Sequence, residues 1–282
     1  MEIIRIPRIM QDTCKKYLLK GRSIGFVPTM GALHEGHMSL VKRARMENDI
    51  SAVSIFVNPI QFGPSEDLEK YPRDIDNDVK KLCEQEVDIL FLPDNALMYP
   101  KGFATYIHVD RISEKLCGNF RPGHFRGVAT VVAKLLNIAS PTRAYFGQKD
   151  FQQTVVIRRM AKDLDLDVEI VVCPTIREQD GLAMSSRNLY LDSKQRKAAT
   201  VLYRCLSQAS EAVLSGAYSP AQARNQMQGM LEAEPLITKI EYASVYDAGT
   251  LDETDGGTGE VLLAVAVRMG DVRLIDNVLV NL

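Results

Sequence analysis

Two of the four histidines in this 282-residue chain stand three positions apart in PTMGALHEGH, Pro28 to His37, a stretch that also holds two glycines. A β-branched and aromatic run, SIGFV, leads into it, and a run with helical spacing, MSLVKRARMEN, leads out. The stretch is expected to turn a first strand into a helix at the carboxyl edge of a sheet, where open α/β sheets bind ligands. Glycines there let the backbone turn tightly and approach a ligand, and the start of a helix favours an anion. His34 and His37 fall on one face of the first turn, where both can donate to one phosphate group. Two other readings fit the same residues, a capping loop with surface imidazoles and a metal site. The zinc-protease pattern H-E-x-x-H needs histidines four apart, and HEGH is one residue short of it.

Three further segments carry side chains suited to a charged small molecule. Asn58 and Gln61 in NPIQFG follow a second predicted strand and set two amides among apolar neighbours, the mixture that a small hydroxy acid with a bulky alkyl part requires. In GQKD, Gly147 to Asp150, a lysine offers a compact charge for phosphate oxygens, and an aspartate can accept from ribose hydroxyls or help hold magnesium. The spacing is not that of a Walker A motif, and a solvated lysine is the plainer alternative. Met184-Ser185-Ser186-Arg187, after Asp180-Gly181, sets two hydroxyls beside a guanidinium, able to bind phosphate or merely to cap a helix. Arg121, His124 and Arg126 in RPGHFRG could close over a ligand or could stabilise a loop. Tyr71-Pro72-Arg73 with Glu66 and Asp67 is a candidate polar flap. His108, in ATYIHVD, reads as a strand residue with a structural hydrogen bond.

Elements of the right length exist to position these groups. The composition, 46% hydrophobic and 25% charged, is that of a soluble globular chain with one large domain or two modest ones. A net charge of −2 gives no general attraction to nucleic acid or anionic membranes, so any phosphate binding must be local. The five cysteines are scattered and never in CxxC spacing, so they are expected as reduced, mostly buried thiols. No apolar run approaches the ~20 residues of a membrane span and the N-terminus lacks a leader-like run, which makes the cytoplasm the expected compartment.

Strand-like runs at 23–27, 50–57, 87–92, 143–146 and 168–172 alternate with helical spacing at 38–47, 75–86, 128–139 and 151–164. This βαβα order predicts an α/β fold, a Rossmann-like doubly wound parallel sheet over residues 1–175. Residues 176–282 read as a smaller α+β domain: helices at 193–214 and 219–233, then strands at 237–246, 261–267 and 272–280, with Thr254 to Gly259, TDGGTG, as a hairpin loop.

Set in these elements, PTMGALHEGH resembles the HxGH loop of the nucleotidyltransferase superfamily that includes the class I aminoacyl-tRNA synthetases. SIFVNPIQFGPSEDLEKYPR, LCGNFRPGHFRGVATVVAKLLN, YFGQKDFQQ and REQDGLAMSSRNLYL follow in order and resemble the signature segments of the pantoate–β-alanine ligase family, a likeness running from Met1 to LIDN near the C-terminus. The resemblance implies ATP contacts from Met30, Gly31, Ala32, Leu33, His34, Glu35, Gly36 and His37, and from Gly147, Gln148, Lys149 and Asp150. It implies a third ATP segment in Ile176 with Met184, Ser185, Ser186 and Arg187, where Ile176 and Met184 flank adenine and MSSR is similar to the mobile KMSKS loop of the synthetases. Gln61 and Gln153 are implied to contact pantoate, with Asn58 beside them and Pro28, Met30 and Phe56 as an apolar wall.

The activity implied is ATP-dependent condensation of pantoate with β-alanine through pantoyl adenylate, without a protein nucleophile. Magnesium would bridge phosphate oxygens rather than occupy a protein-built metal site. His34, His37, Lys149, Ser186 and Arg187 are the expected catalytic groups, with an imidazolium at His37 following the transition state. A homodimer through the N-terminal domain is also implied, and neither nucleic acid nor membrane is an expected partner.

Overall fold

A computed structural model of the chain describes every residue except Ser65, Gly257 and Thr258. In chain order its elements are β1 (Glu2–Ile4), α1 (Pro7–Leu18), β2 (Ile24–Thr29), α2 (Glu35–Glu47), β3 (Ile50–Ile55), α3 (Ile75–Glu84), β4 (Ile89–Phe91), α4 (Asn95–Met98), α5 (Cys117–Phe120) and α6 (His124–Ala139). They continue with β5 (Arg143–Gly147), α7 (Phe151–Asp163), β6 (Glu169–Cys173), α8 (Ser193–Ala198), α9 (Val201–Leu214), α10 (Pro220–Glu232), β7 (Lys239–Asp247), β8 (Glu260–Met269) and β9 (Val272–Asn281).

The chain divides into two units, the first made of Met1–Ser113, Arg121–Gly147 and Gln153–Pro174, the second of Glu114–Phe120, Gln148–Gln152 and Thr175–Leu282. The expected boundary after residue 175 is one cut, whereas by packing the short segments Glu114–Phe120 and Gln148–Gln152 group with the C-terminal residues. Side chains explain the attachment: Gln152 bonds the Cys117 amide and the Lys115 carbonyl, and Asn277 bonds the carbonyls of Gln148 and Lys149.

In the first unit six parallel strands run in the order β1-β4-β3-β2-β5-β6. Phe26 and Val27 are neighbours on β2 and both fully buried, as a strand covered by helices on both faces requires. Helix α2 lies against β2, β3 and β5, whereas α6 packs with α1 and β2. The chain winds outward from β2 to β4 and then returns to β5 on the other side of β2, so the winding reverses between β2 and β5. Their carboxyl ends, Thr29 and Gly147, flank the crevice where a doubly wound sheet binds its ligand. Two N-terminal elements, β1 and α1, go beyond the sequence expectation, since a three-residue strand is too short to show alternation.

The second unit is a three-stranded antiparallel sheet, β7-β8-β9. Leu202, Cys205, Leu206, Ala209, Met227 and Leu231 from α9 and α10 share a buried cluster with Leu263, Val265 and Val267 of β8. The single helix expected at 193–214 is instead α8 and α9. Thr200 lies at the break, its hydroxyl donating to the Lys197 carbonyl at 2.8 Å, the local side-chain bond by which threonine competes with a helical ladder. The TDGGTG stretch joins β7 to β8, and its Gly257 and Thr258 lie outside the described residues. All five cysteines are free thiols; Cys83 is exposed and the other four are buried. Among the described residues no helix is long and apolar enough to cross a membrane.

Candidate active site

Thr29 closes β2, its hydroxyl donating to the Ser54 carbonyl at 2.8 Å and accepting from the Gly31 amide at 3.2 Å. The backbone then turns through two left-handed residues, Gly31 at φ +82° and Ala32 at φ +50°. An alanine in that region is strained and must be held. Asp78 of α3 holds it. This carboxylate is only 1% exposed and accepts from the Ala32 amide at 2.9 Å and the Leu33 amide at 2.7 Å. Lys81, one turn later, donates to the Leu33 carbonyl at 2.5 Å. Burial pushes the Asp78 carboxyl above its ordinary value, against the pull of the two amides and of Lys81.

Asp78→Ala would leave two buried N–H groups without an acceptor, so stability should fall by about 1–3 kcal/mol. Urea unfolding measures this, and an unmoved midpoint would show that the carboxylate does not hold the loop. The Ala32 and Leu33 amides are thus engaged by Asp78 within the loop.

His34 is the N-cap of α2, and His37 is the third residue of the helix. The His34 Nδ1 accepts from the Gly36 amide at 3.2 Å, and the His37 Nδ1 accepts from the His34 amide at 3.3 Å, a reciprocal arrangement of the capping-box type. In this arrangement both Nδ1 atoms face backbone N–H donors. The ring centroids are 4.1 Å apart, a spacing that two positive charges would oppose. The capping reading does not exclude a ligand at these rings, because the cap uses only their Nδ1 atoms.

Beyond β3, Asn58 precedes a 3₁₀ turn, Pro59–Gln61. Its amide, on a residue 1% exposed, donates to Gln61 Oε1 at 2.9 Å and the Gly127 carbonyl at 3.1 Å, and it accepts from the Tyr99 hydroxyl at 2.7 Å. With these three bonds made, Asn58 orients the Gln61 side chain. Gln61 is left with its Nε2 as the outward donor, 3.1 Å from Met30 Sδ. Gly127 has to be glycine, since a Cβ there would stand 2.7 Å from the Gln61 nitrogen and 2.6 Å from its Cα. The last glycine of RPGHFRG is thus a close-packing residue inside α6, which begins at His124, ahead of the start expected at residue 128.

Arg121 grips Glu66 with two bonds of 2.7 and 2.6 Å. It also stands 3.0 Å from His124 Nε2, while His124 Nδ1 donates to the Gln61 carbonyl at 2.8 Å. Burial would raise the Glu66 carboxyl, but the guanidinium outweighs it and holds the group below its usual range. Of the two roles open to RPGHFRG, the structure displays the loop-stabilising one, with Arg126 lying over the Tyr106 ring at 3.9 Å. In the flap candidate, Tyr71 is buried against the Phe62 ring and Arg73 donates to the Leu68 carbonyl. Phe56 and Met30 line a cavity of about 260 Å³ with Gly31, Ile55, Arg73 and Asp78, and Pro28 and Gln153 are half-buried on β2 and α7. His108 is exposed and 3.3 Å from Asp110 in a segment without strand pairing.

In the second unit Gln148–Asp150 form a 3₁₀ turn in which Lys149 is half-buried. Ile176 and Met184 are joined by a backbone bond of 3.0 Å, next to the bridge between Arg177 and Ala183. Ser185 caps the turn Ser186–Tyr190, its hydroxyl accepting from the Arg187 amide at 3.3 Å. The hydroxyl of Ser185 is thus used locally, and Ser186 and Arg187 are half-buried within that turn.

A winding reversal with an imidazole pair at one of its strand tips defines a doubly wound α/β protein with a ligand-binding crevice. Comparison with known proteins is more specific. Residues 2–279 match the family described as Pantoate-beta-alanine ligase. The chain is 59% identical over 281 residues to the pantothenate synthetase of Thermodesulfovibrio yellowstonii, covering 100% of each. The crystal structure of pantothenate synthetase from Thermus thermophilus matches with a TM-score of 0.94 at 44% identity, over 99% of both chains. The pantoate-β-alanine ligase of Francisella tularensis, solved in complex with β-γ ATP and β-alanine, matches with a TM-score of 0.81 at 37% identity, over 99% of this chain and 97% of that one. The chain belongs to the pantoate–β-alanine ligase family.

Proposed function

We propose that this chain condenses pantoate with β-alanine to pantothenate at the expense of ATP, releasing pyrophosphate and AMP. The observation that carries the reading is the full-length likeness to pantothenate synthetases, one of them solved with β-γ ATP and β-alanine. In the first step a pantoate carboxylate oxygen attacks the α-phosphorus and pyrophosphate leaves. In the second the β-alanine amine attacks the acyl carbon, AMP leaves and the amine loses a proton to solvent.

The protein positions reactants and neutralises moving charge. The Nε2–H groups of His34 and His37 donate to phosphate oxygens, and Lys149, Ser186 and Arg187 bind the triphosphate. The Gln61 Nε2 donates to pantoate beside the Met30 thioether, and Gln153 is a second amide for the same substrate. Gly31, Glu35, Gly36, Gly147, Gln148 and Asp150 complete the ATP-binding loops, and Ile176 and Met184 flank the base. Among the described residues no group of three or more histidine, cysteine or carboxylate side chains is placed to hold a metal ion. Magnesium would arrive on the phosphate oxygens and screen their charge. The working form is a homodimer in the cytoplasm.

Pantoate labelled with ¹⁸O in its carboxylate tests the scheme. With MgATP alone the enzyme should release pyrophosphate, and on addition of β-alanine the AMP should carry one labelled oxygen. Release of ADP, or AMP without label, would overturn it.

A further inference from the structure

Strand β9 reads VRLIDNVLVN, an apolar run interrupted in the middle by Asp276 and Asn277. Both are buried, at 2% and 4% exposed, and being consecutive strand residues they point to opposite faces. Burying two polar side chains in a strand is costly unless every hydrogen-bonding atom finds a partner, and here the partners belong to the nucleotide segments.

Asn277 Nδ2 donates to the Lys149 carbonyl at 2.9 Å and the Gln148 carbonyl at 3.2 Å, and Gln148 Nε2 returns a bond to Asn277 Oδ1 at 3.4 Å. Asp276 receives both arms of the Arg177 guanidinium, at 2.6 and 3.0 Å. Arg177 also donates to the Gly181 carbonyl at 3.1 Å and stacks 4.1 Å above the Tyr203 ring. Burial pushes the Asp276 carboxyl up while the guanidinium draws it down. The strand is tied in turn to β8 through the pairs Val265↔Asp276 and Ala264↔Asn277.

We propose that Asp276 and Asn277 are positioning residues for the reaction, with Asn277 fixing the main chain that carries Lys149 and Asp276 fixing, through Arg177, the arm that leads into Met184–Arg187. The proposal rests on the assignment of Lys149 to ATP phosphates. Asn277 touches no reactant; it sets where the ammonium stands.

The test compares Asn277→Ala, Asn277→Asp, Lys149→Ala and the double variant N277A/K149A in steady-state kinetics with ATP and pantoate varied separately. N277A should lower kcat/KM for ATP roughly ten-fold, the scale of one lost buried hydrogen bond, while KM for pantoate stays put. N277D, nearly the same shape but without a donor, turns a carboxylate toward two carbonyl oxygens and should be worse than N277A. A role in packing alone would rank the two variants the other way, and that ranking would overturn the proposal. In the K149A background the N277A change should have little further effect. A K149A defect with an additive N277A defect would overturn the positioning role and leave the Lys149 assignment standing, whereas parental ATP kinetics in K149A would overturn both. Should the alanine chain fail to fold, Asn277→Gln, which keeps the amide donor on a longer stem, carries the same comparison with N277D.

Discussion

Replacing His37 by alanine should slow formation of pantoyl adenylate by roughly 10²-fold or more, the scale of a lost transition-state donor. Single-turnover release of pyrophosphate measures it. The effect is expected in the chemical step because negative charge builds on the phosphate oxygens as the α-phosphorus is attacked, when a fixed N–H donor gains most. Alanine also removes the acceptor of the His34 amide, 3.3 Å away, so part of its cost would be a weakened helix start, about 1 kcal/mol. Asparagine separates the two contributions. Its side-chain oxygen can take the place of Nδ1 and keep the cap, but it has no donor at the reach of Nε2, so His37→Asn should retain stability and still lose the rate. A His37→Asn enzyme that adenylates at the parental rate would remove His37 from the chemistry.

Lys149→Ala is the second large loss, expected at roughly 10²- to 10³-fold in adenylation, again read from pyrophosphate release in one turnover. Arginine should restore little. A compact ammonium on a flexible stem and a planar fork of donors fill different space, and the turn that presents residue 149 is pinned by its own carbonyl to Asn277. Binding of pantoate, measured without nucleotide, should be unchanged by either replacement. A Lys149→Ala enzyme within about three-fold of the parent would mean that the triphosphate is neutralised by other groups.

What could be read in advance and what could not divide by the range of the interactions. The βαβ alternation and the PTMGALHEGH turn are local patterns, and the observed β2, α2 and β3 lie where hydrophobic period and glycine placement put them. The groups that hold the reactive loops are remote in sequence. Asp78 reaches back to the amides of Ala32 and Leu33, Tyr99 to Asn58, and Asn277 to Lys149. Each looks like an ordinary polar residue until the fold buries it. The pair Asp276-Asn277 differs only in being polar within an otherwise apolar run. Asn58 shows the same limit, since its residue type suits a ligand as well as it suits a buried bracket for Gln61. Glu114–Phe120 and Gln148–Gln152 left their expected unit through tertiary bonds that no local composition announces.

The unequal burial of the five thiols has a practical consequence. Cys83 alone is exposed, and it sits on α3, the helix that also carries Asp78 and Lys81. A maleimide dye or nitroxide should therefore couple at one position of the unmutated chain, two residues beyond the lysine that anchors the histidine turn. Such a label gives an optical or magnetic readout of that anchor without engineering the sequence.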